Sequence, residues 1–155
     1  MVTAKSNDSL KSQCDFLPLD LIEWDDIYSI GNQIIDLEHK NLFESINNYI
    51  IETRGGHGLE VLDKTLSAMI AYADSHFDRE EKLMLRYGYK KYNKHKHEHD
   101  QFRHDIAKYK MIIAGGDDIS LEVAFYLPAW IKHHVLNVDM NMGLFLREHA
   151  HIVQL

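Results

Sequence analysis

Residues 76–102, HFDREEKLMLRYGYKKYNKHKHEHDQF, constrain the fold of this chain more than any other stretch. His76 and Glu80 stand four residues apart, and so do His95 and His99. Four residues is about one helical turn, so each pair projects from one helix face. Between the pairs lies Tyr87-Gly88-Tyr89, where glycine favours a helix stop. The pattern predicts two antiparallel helices, each turning two potential metal ligands into the space between them. Imidazole and carboxylate together suit iron, zinc and manganese.

The flanking sequence extends this into a bundle. A helix is predicted over 32–53, with Ile35, Leu42, Phe43, Ile46, Tyr49 and Ile50 as its apolar stripe and His39 one turn past Ile35. Gly55, Gly56 and Gly58 then break the chain. The second helix is predicted over 59–86, where Leu62, Leu66, Met69 and Ala73 lead directly into His76, Glu80 and Leu83. The third covers 90–113, with a seam of Tyr92, His95, His99, Phe102, Ile106, Tyr109 and Ile113. Gly115-Gly116 ends it. The fourth covers 120–137, with Val123, Leu127, Ile131 and His134 on one face and Trp130 beside them. Pro128 falls inside it and is expected to remove one backbone bond and bend the axis. Residues 140–155 are expected to hold a short helix packed on the bundle end. Residues 21–31, carrying Trp24, Ile27, Tyr28 and Ile30, are expected to lie across an end as a lid, and 1–20 to form a flexible extension. The fold class is therefore all-α: an antiparallel up-down four-helix bundle over 21–155.

Composition bounds the function classes. At 155 residues the chain fits one domain with a real core. A formal net charge of −7 argues against nucleic-acid partners and against an anionic membrane surface. No apolar run reaches transmembrane length, and 1–20 lacks the apolar centre of a signal peptide. The single cysteine, Cys14, cannot form an internal disulfide, which fits a reducing compartment; the expected location is cytoplasmic. The 11 histidines are the compositional outlier.

One histidine in an apolar stripe is usually a hydrogen-bonded core residue. Here His39, His76, Glu80, His95, His99 and His134 all fall on core seams of four helices. Burying that many ionisable groups without a cation costs several kcal/mol, and a metal turns the cost into binding energy. His57, His97, His104, His133, His149 and His151 read as surface residues, and Glu81 as surface charge facing away from the seam. Oxygen-activating carboxylate bundles carry a pair of Glu-x-x-His motifs. This chain has one, Glu148 to His151, in its tail.

The sequence resembles the bacterial hemerythrins, non-haem di-iron oxygen-binding bundles. Ile35-Asp36 with His39-Lys40 resembles the first-helix ID-x-x-HK signature. His76-Phe77 followed by Glu80-Glu81, Leu83 and Met84 resembles HF-x-x-EE-x-LM. His95, Glu98-His99 and Phe102 resemble H-x-x-EH-x-x-F, and Trp130, His134 and Asp139 resemble W-x-x-x-H-x-x-x-x-D. Trp24 and Gly31 also fit. The likeness covers about residues 22–140, departing from the family in Lys90, where many relatives have proline, and in Pro128.

The resemblance implies a cofactor of two non-haem iron ions with an oxo or hydroxo bridge. His95, His99 and His134 would bind one iron, His39 and His76 the other, and the carboxylates of Glu80 and Asp139 would bridge them. Seven such ligands exceed one tetrahedral zinc. The implied activity is reversible dioxygen binding without catalysis, with Trp130 and Ile131 as candidates for the dioxygen pocket. A redox or oxygen sensor, or a peroxide- or NO-reactive di-iron protein, is the alternative; the protein partner is unknown. Asp139 poses a geometric difficulty. Five residues past His134 is about 500° of regular helix, so the helix is expected to end or loosen near Asn137.

Overall fold

The computed structural model describes residues 19–149. Among them are five α-helices and no strand. We label them α1 (Gln33–Arg54), α2 (Gly58–Tyr87), α3 (Tyr92–Ala114), α4 (Ser120–His134) and α5 (Met140–His149). Of the expected 1–20 extension, residues 1–18 lie outside the described residues, as does the tail beyond His149, while Leu19 is buried in the core rather than flexible.

Local chemistry sets the boundaries. Asn32 caps α1, its side-chain oxygen accepting from the N–H groups of Ile34 and Ile35. Asp36, in the first turn, accepts from Ser29 Oγ and from Ile30 N–H, which fixes the entry of the chain. Gly88, at φ 70°, ends α2 in the left-handed conformation, and Tyr89 N–H reaches back to Met84 O. The ends of the first three helices fall within one or two residues of the sequence expectation.

α1 packs against α2 and α4, and α2 against α3, in up-down order. The seam between α3 and α4 is held by large side chains: Phe102 on Trp130 with centroids 4.2 Å apart, Tyr109 on Tyr126 at 5.3 Å, and the Tyr126 hydroxyl donating to Asp105 at 2.9 Å. The core includes Leu42, Phe43, Ile46, Leu62, Leu66, Met69, Phe102, Ile106, Leu127 and Ile131, all nearly inaccessible to solvent. Each such aliphatic contributes about 1.5–3 kcal/mol on burial.

Two expectations change. The segment before α1 does not lie across an end of the bundle. It runs antiparallel along α1: Leu19 O accepts from Arg54, Ile22 exchanges two 2.8 Å bonds with the Asn47 amide, Trp24 packs on Phe43, and Ile30 meets Asp36. The reason is reach. Extended chain advances about 3.3 Å per residue against about 1.5 Å in a helix, so this short segment spans most of α1. The second change is in the fourth helix. It starts at Ser120, continues through the buried Pro128 and does not stop near Asn137. Val135–Asp139 is a π-helical turn that joins α4 to α5 without a break. Of the two options for Asp139, loosening is the one realised. α5 is held against the strap before α1, where a Cβ on Gly143 would come within 2.5 Å of Ile30 O.

Candidate metal centre

Each helix of the bundle contributes to one buried cluster. α1 supplies His39, α2 supplies His76 and Glu80, α3 supplies His95 and His99, α4 supplies His134, and the π-turn supplies Asp139. None is more than 2 % exposed. The i, i+4 pairs on α2 and α3 face each other as their spacing predicts. Asp139 reaches the cluster because the π-turn changes the rotation per residue: the Met140 N–H bonds Val135 O, five residues back, rather than four.

The donor atoms form two overlapping sets. Glu80, His95, His99, His134 and Asp139 make one; His39, His76, Glu80 and Asp139 make the other, and within each set the atoms lie within 4.8 Å of one another. The two carboxylates belong to both, and each presents one oxygen to each side. Glu80 Oε1 stands 3.4 Å from His76 Nε2, while its Oε2 stands 3.1 Å from His99 Nε2 and 3.5 Å from His95 Nε2. Asp139 Oδ2 stands 3.2 Å from His39 Nε2, while its Oδ1 stands 3.1 Å from both His95 Nε2 and His134 Nε2.

These approaches lack hydrogen-bond geometry. Both oxygens of Glu80 and of Asp139, and Nε2 of His39, His95, His99 and His134, are buried without a hydrogen-bond partner among the described residues. A buried polar atom left unpaired costs about 1–3 kcal/mol, more for a charged one, so such a cluster calls for a partner at its centre. Neutral imidazole nitrogen and anionic carboxylate oxygen converging on common points are a donor set fit for divalent or trivalent transition-metal ions.

The metal-free electrostatics agree. Burial pushes the carboxyls of Glu80 and Asp139 up, but the facing imidazoles outweigh it and hold both below the usual carboxylate range. Burial pushes His95 down, yet Asp139 and Glu80 raise it to about 9. His76 is likewise raised, by Glu80 and Glu38 against its burial, whereas burial prevails at His134 and lowers it. The two carboxylates thus favour the charged form of His95 and His76.

A family model described as the hemerythrin HHE cation binding domain matches residues 30–143. The chain belongs to the hemerythrin family. It is similar to the bacteriohemerythrin of Stenotrophomonas maltophilia, 32% identical over 141 residues that cover 83% of this chain and 89% of that one. The bacteriohemerythrin of Clostridium acetobutylicum is 32% identical over 121 residues, covering 75% of this chain and 94% of the relative. Among solved structures, a wild-type hemerythrin crystal structure superposes with a TM-score of 0.73 at 26% identity, covering 82% of this chain and 98% of its own.

Around the hemerythrin-type cluster stand residues that the sequence reading missed. Glu38 Oε2 accepts from His76 Nδ1 at 2.7 Å, and Arg79 holds the other Glu38 oxygen at 2.9–3.0 Å. Glu81, expected to face away as surface charge, accepts instead from His99 Nδ1 at 3.0 Å, with Arg103 at 3.4 Å. Each acid adjoins a cluster residue on its own helix, Glu38 next to His39 and Glu81 next to Glu80. The rotation of about 100° that turns it off its own seam aims it at an imidazole of the neighbouring helix. An acid beside a cluster residue was the available signal. Aromatic rings cover the imidazole faces. Phe77 stacks on His99 at 3.8 Å, Trp130 on His134 at 4.5 Å and Tyr72 on His76 at 4.7 Å. Ile131 is buried beside them, and Trp130 is half-buried.

His57, His97, His104 and His133 are exposed, as expected. His149 is half-buried instead, its ring stacked on Phe145 and its Nδ1 2.8 Å from Phe145 O. His151 lies outside the described residues. No helix among the described residues is long and apolar enough to cross a membrane.

Proposed function

We propose that this chain binds dioxygen reversibly at two non-haem iron ions held by His39, His76, Glu80, His95, His99, His134 and Asp139. The observation that carries the reading is the division of each carboxylate between the two donor sets. Two separate sites would need no shared acids. A pair of cations close together needs them, because bridging anions offset their mutual repulsion. When bound, the two ions supply the electrons and the coordination position that hold dioxygen. The protein supplies the asymmetry. The set with His95, His99 and His134 has three imidazoles, the set with His39 and His76 two, so the second is the side with room for an added ligand.

The remaining groups do defined work. Glu38 and Glu81 accept from Nδ1 of His76 and His99, which keeps the Nε2 lone pair of each ring directed inward. Phe77, Trp130 and Ile131 wall the cluster with apolar surface, which excludes water and protons that would discharge the bound gas. The acids that adjoin the cluster, Glu38 and Glu81, are committed to His76 and His99, which favours binding over turnover.

The test is an absorption spectrum of iron-loaded protein cycled between argon and air. Colour that appears in air and vanishes under argon over several cycles supports the reading. One-way bleaching to an oxidised form points to the sensing or peroxide- and NO-reactive alternatives.

A further inference from the structure

Tyr72 is built the wrong way round for a surface tyrosine. Such a residue normally buries its ring and keeps its hydroxyl in water. Here the residue as a whole is only half-buried, yet its hydroxyl oxygen is sealed from solvent and has no hydrogen-bond partner among the described residues. The side chain sits one helical turn before His76, with its ring stacked on that imidazole at 4.7 Å and 22° and edge-on to Phe77 at 6.4 Å. It packs against the apolar cluster that contains Leu42, Phe77 and Ile131.

The fixed groups nearby do not use it. Of the two Glu38 oxygens, one takes the His76 Nδ1 proton and the other takes Arg79. The oxygens of Glu80 are directed at the two donor sets. A buried phenol left unpaired costs about 1–3 kcal/mol, so the fold keeps this hydroxyl for a partner that comes and goes. The two-imidazole side of the cluster, where Tyr72 lies, is the side the proposed function leaves open.

We propose that the Tyr72 hydroxyl donates a hydrogen bond to the small ligand seated beside His39 and His76, dioxygen in function and azide as a probe. This rests on the proposed function for the identity of the ligand, not for the role of the hydroxyl. Such a donor holds a ligand that gains negative charge on binding and leaves an uncharged apolar gas unaided. It sets retention time rather than access.

The experiment compares iron-loaded wild type with Tyr72→Phe, which keeps the ring and its stacking. Three quantities are read: iron content, azide affinity of the oxidised protein, and the azide stretching frequency in water and deuterium oxide. Dioxygen dissociation is followed in parallel. Tyr72→Phe is expected to keep its iron, to bind azide on the order of ten-fold more weakly and to release dioxygen on the order of ten-fold faster. A frequency shift in deuterium oxide is expected in wild type and lost in the variant. Equal affinities with the same isotope shift in both proteins would overturn the proposal. So would loss of iron from Tyr72→Phe, which would make the hydroxyl part of the metal's own support. If wild type binds no dioxygen reversibly but the azide differences appear, the functional reading fails and the role of Tyr72 stands.

Discussion

The two halves of the cluster are made by the same devices and differ in one wall. In the three-imidazole half, His99 is oriented by Glu81 and covered by Phe77, and His134 is covered by Trp130. In the two-imidazole half, His76 is oriented by Glu38, but the ring over it is Tyr72, which carries a buried hydroxyl. Phe77 and Trp130 cover rings of the first half, with Tyr89 edge-on to His95 at 6.5 Å; the second half ends on a hydroxyl with no hydrogen-bond partner among the described residues. Donor count and wall chemistry thus single out the same half, the one the proposed function leaves open. Pure packing would not produce that coincidence, because an apolar side chain in place of Tyr72 would avoid the unpaired hydroxyl.

The largest expected effect comes from removing what the halves share. Glu80→Ala takes one oxygen from each, so iron content should fall to one per chain or below while the metal-free helix content persists. Two irons retained per chain, by metal analysis, would contradict the sharing. Next come changes confined to one half. His76→Ala should leave about one iron per chain, in the half it does not touch, and abolish dioxygen binding. His134→Ala should weaken the opposite half first. If the two variants lost the same metal, the division into halves would be wrong.

Smaller effects are expected at the orienting acids. Glu38→Gln and Glu81→Gln each remove a charge behind one imidazole, and such changes typically cost about 10–100-fold in metal affinity. The loss should fall on the two-imidazole half in the first variant and on the three-imidazole half in the second, by competition with a chelator. The smallest effect is that of pH. His95, raised to about 9, is protonated in the metal-free site at neutral pH, and the Glu80 and Glu38 carboxylates shift His76 in the same direction. Metal binding must displace that proton, so affinity should increase with pH up to about 9, with proton release measurable in weakly buffered solution. The sign for stability follows. A raised histidine stabilises the metal-free fold fully below its ordinary 6.5, and that contribution is lost as pH rises through about 9. The metal-loaded protein should show no such decline.

What the sequence made legible was whatever a single helix repeats. The four-residue spacing of His76 with Glu80 and of His95 with His99 placed all four on facing seams. The apolar stripes placed His39 and His134 with them. What it hid depends on a second element. Glu81 looked like surface charge because its own helix turns it off the seam; only the position of α3 makes it a partner of His99. The strap from Leu19 to Ile30 has no periodicity that says whether it crosses an end or follows a helix, and Asn47 settles that by holding Ile22 from both sides. Asp139 was legible as an exception to regular rotation, but the π-turn that resolves it has no sequence mark of its own. Tyr72 carries no mark in the sequence, since spacing does not reveal which end of a side chain is buried.

The most direct test of the shared-carboxylate arrangement is anomalous diffraction at the iron edge from crystals of the iron-loaded protein. The account predicts two iron peaks, one among His95, His99 and His134 and one beside His39 and His76, with Glu80 and Asp139 each touching both. A single peak, or two peaks with no carboxylate in common, would contradict it.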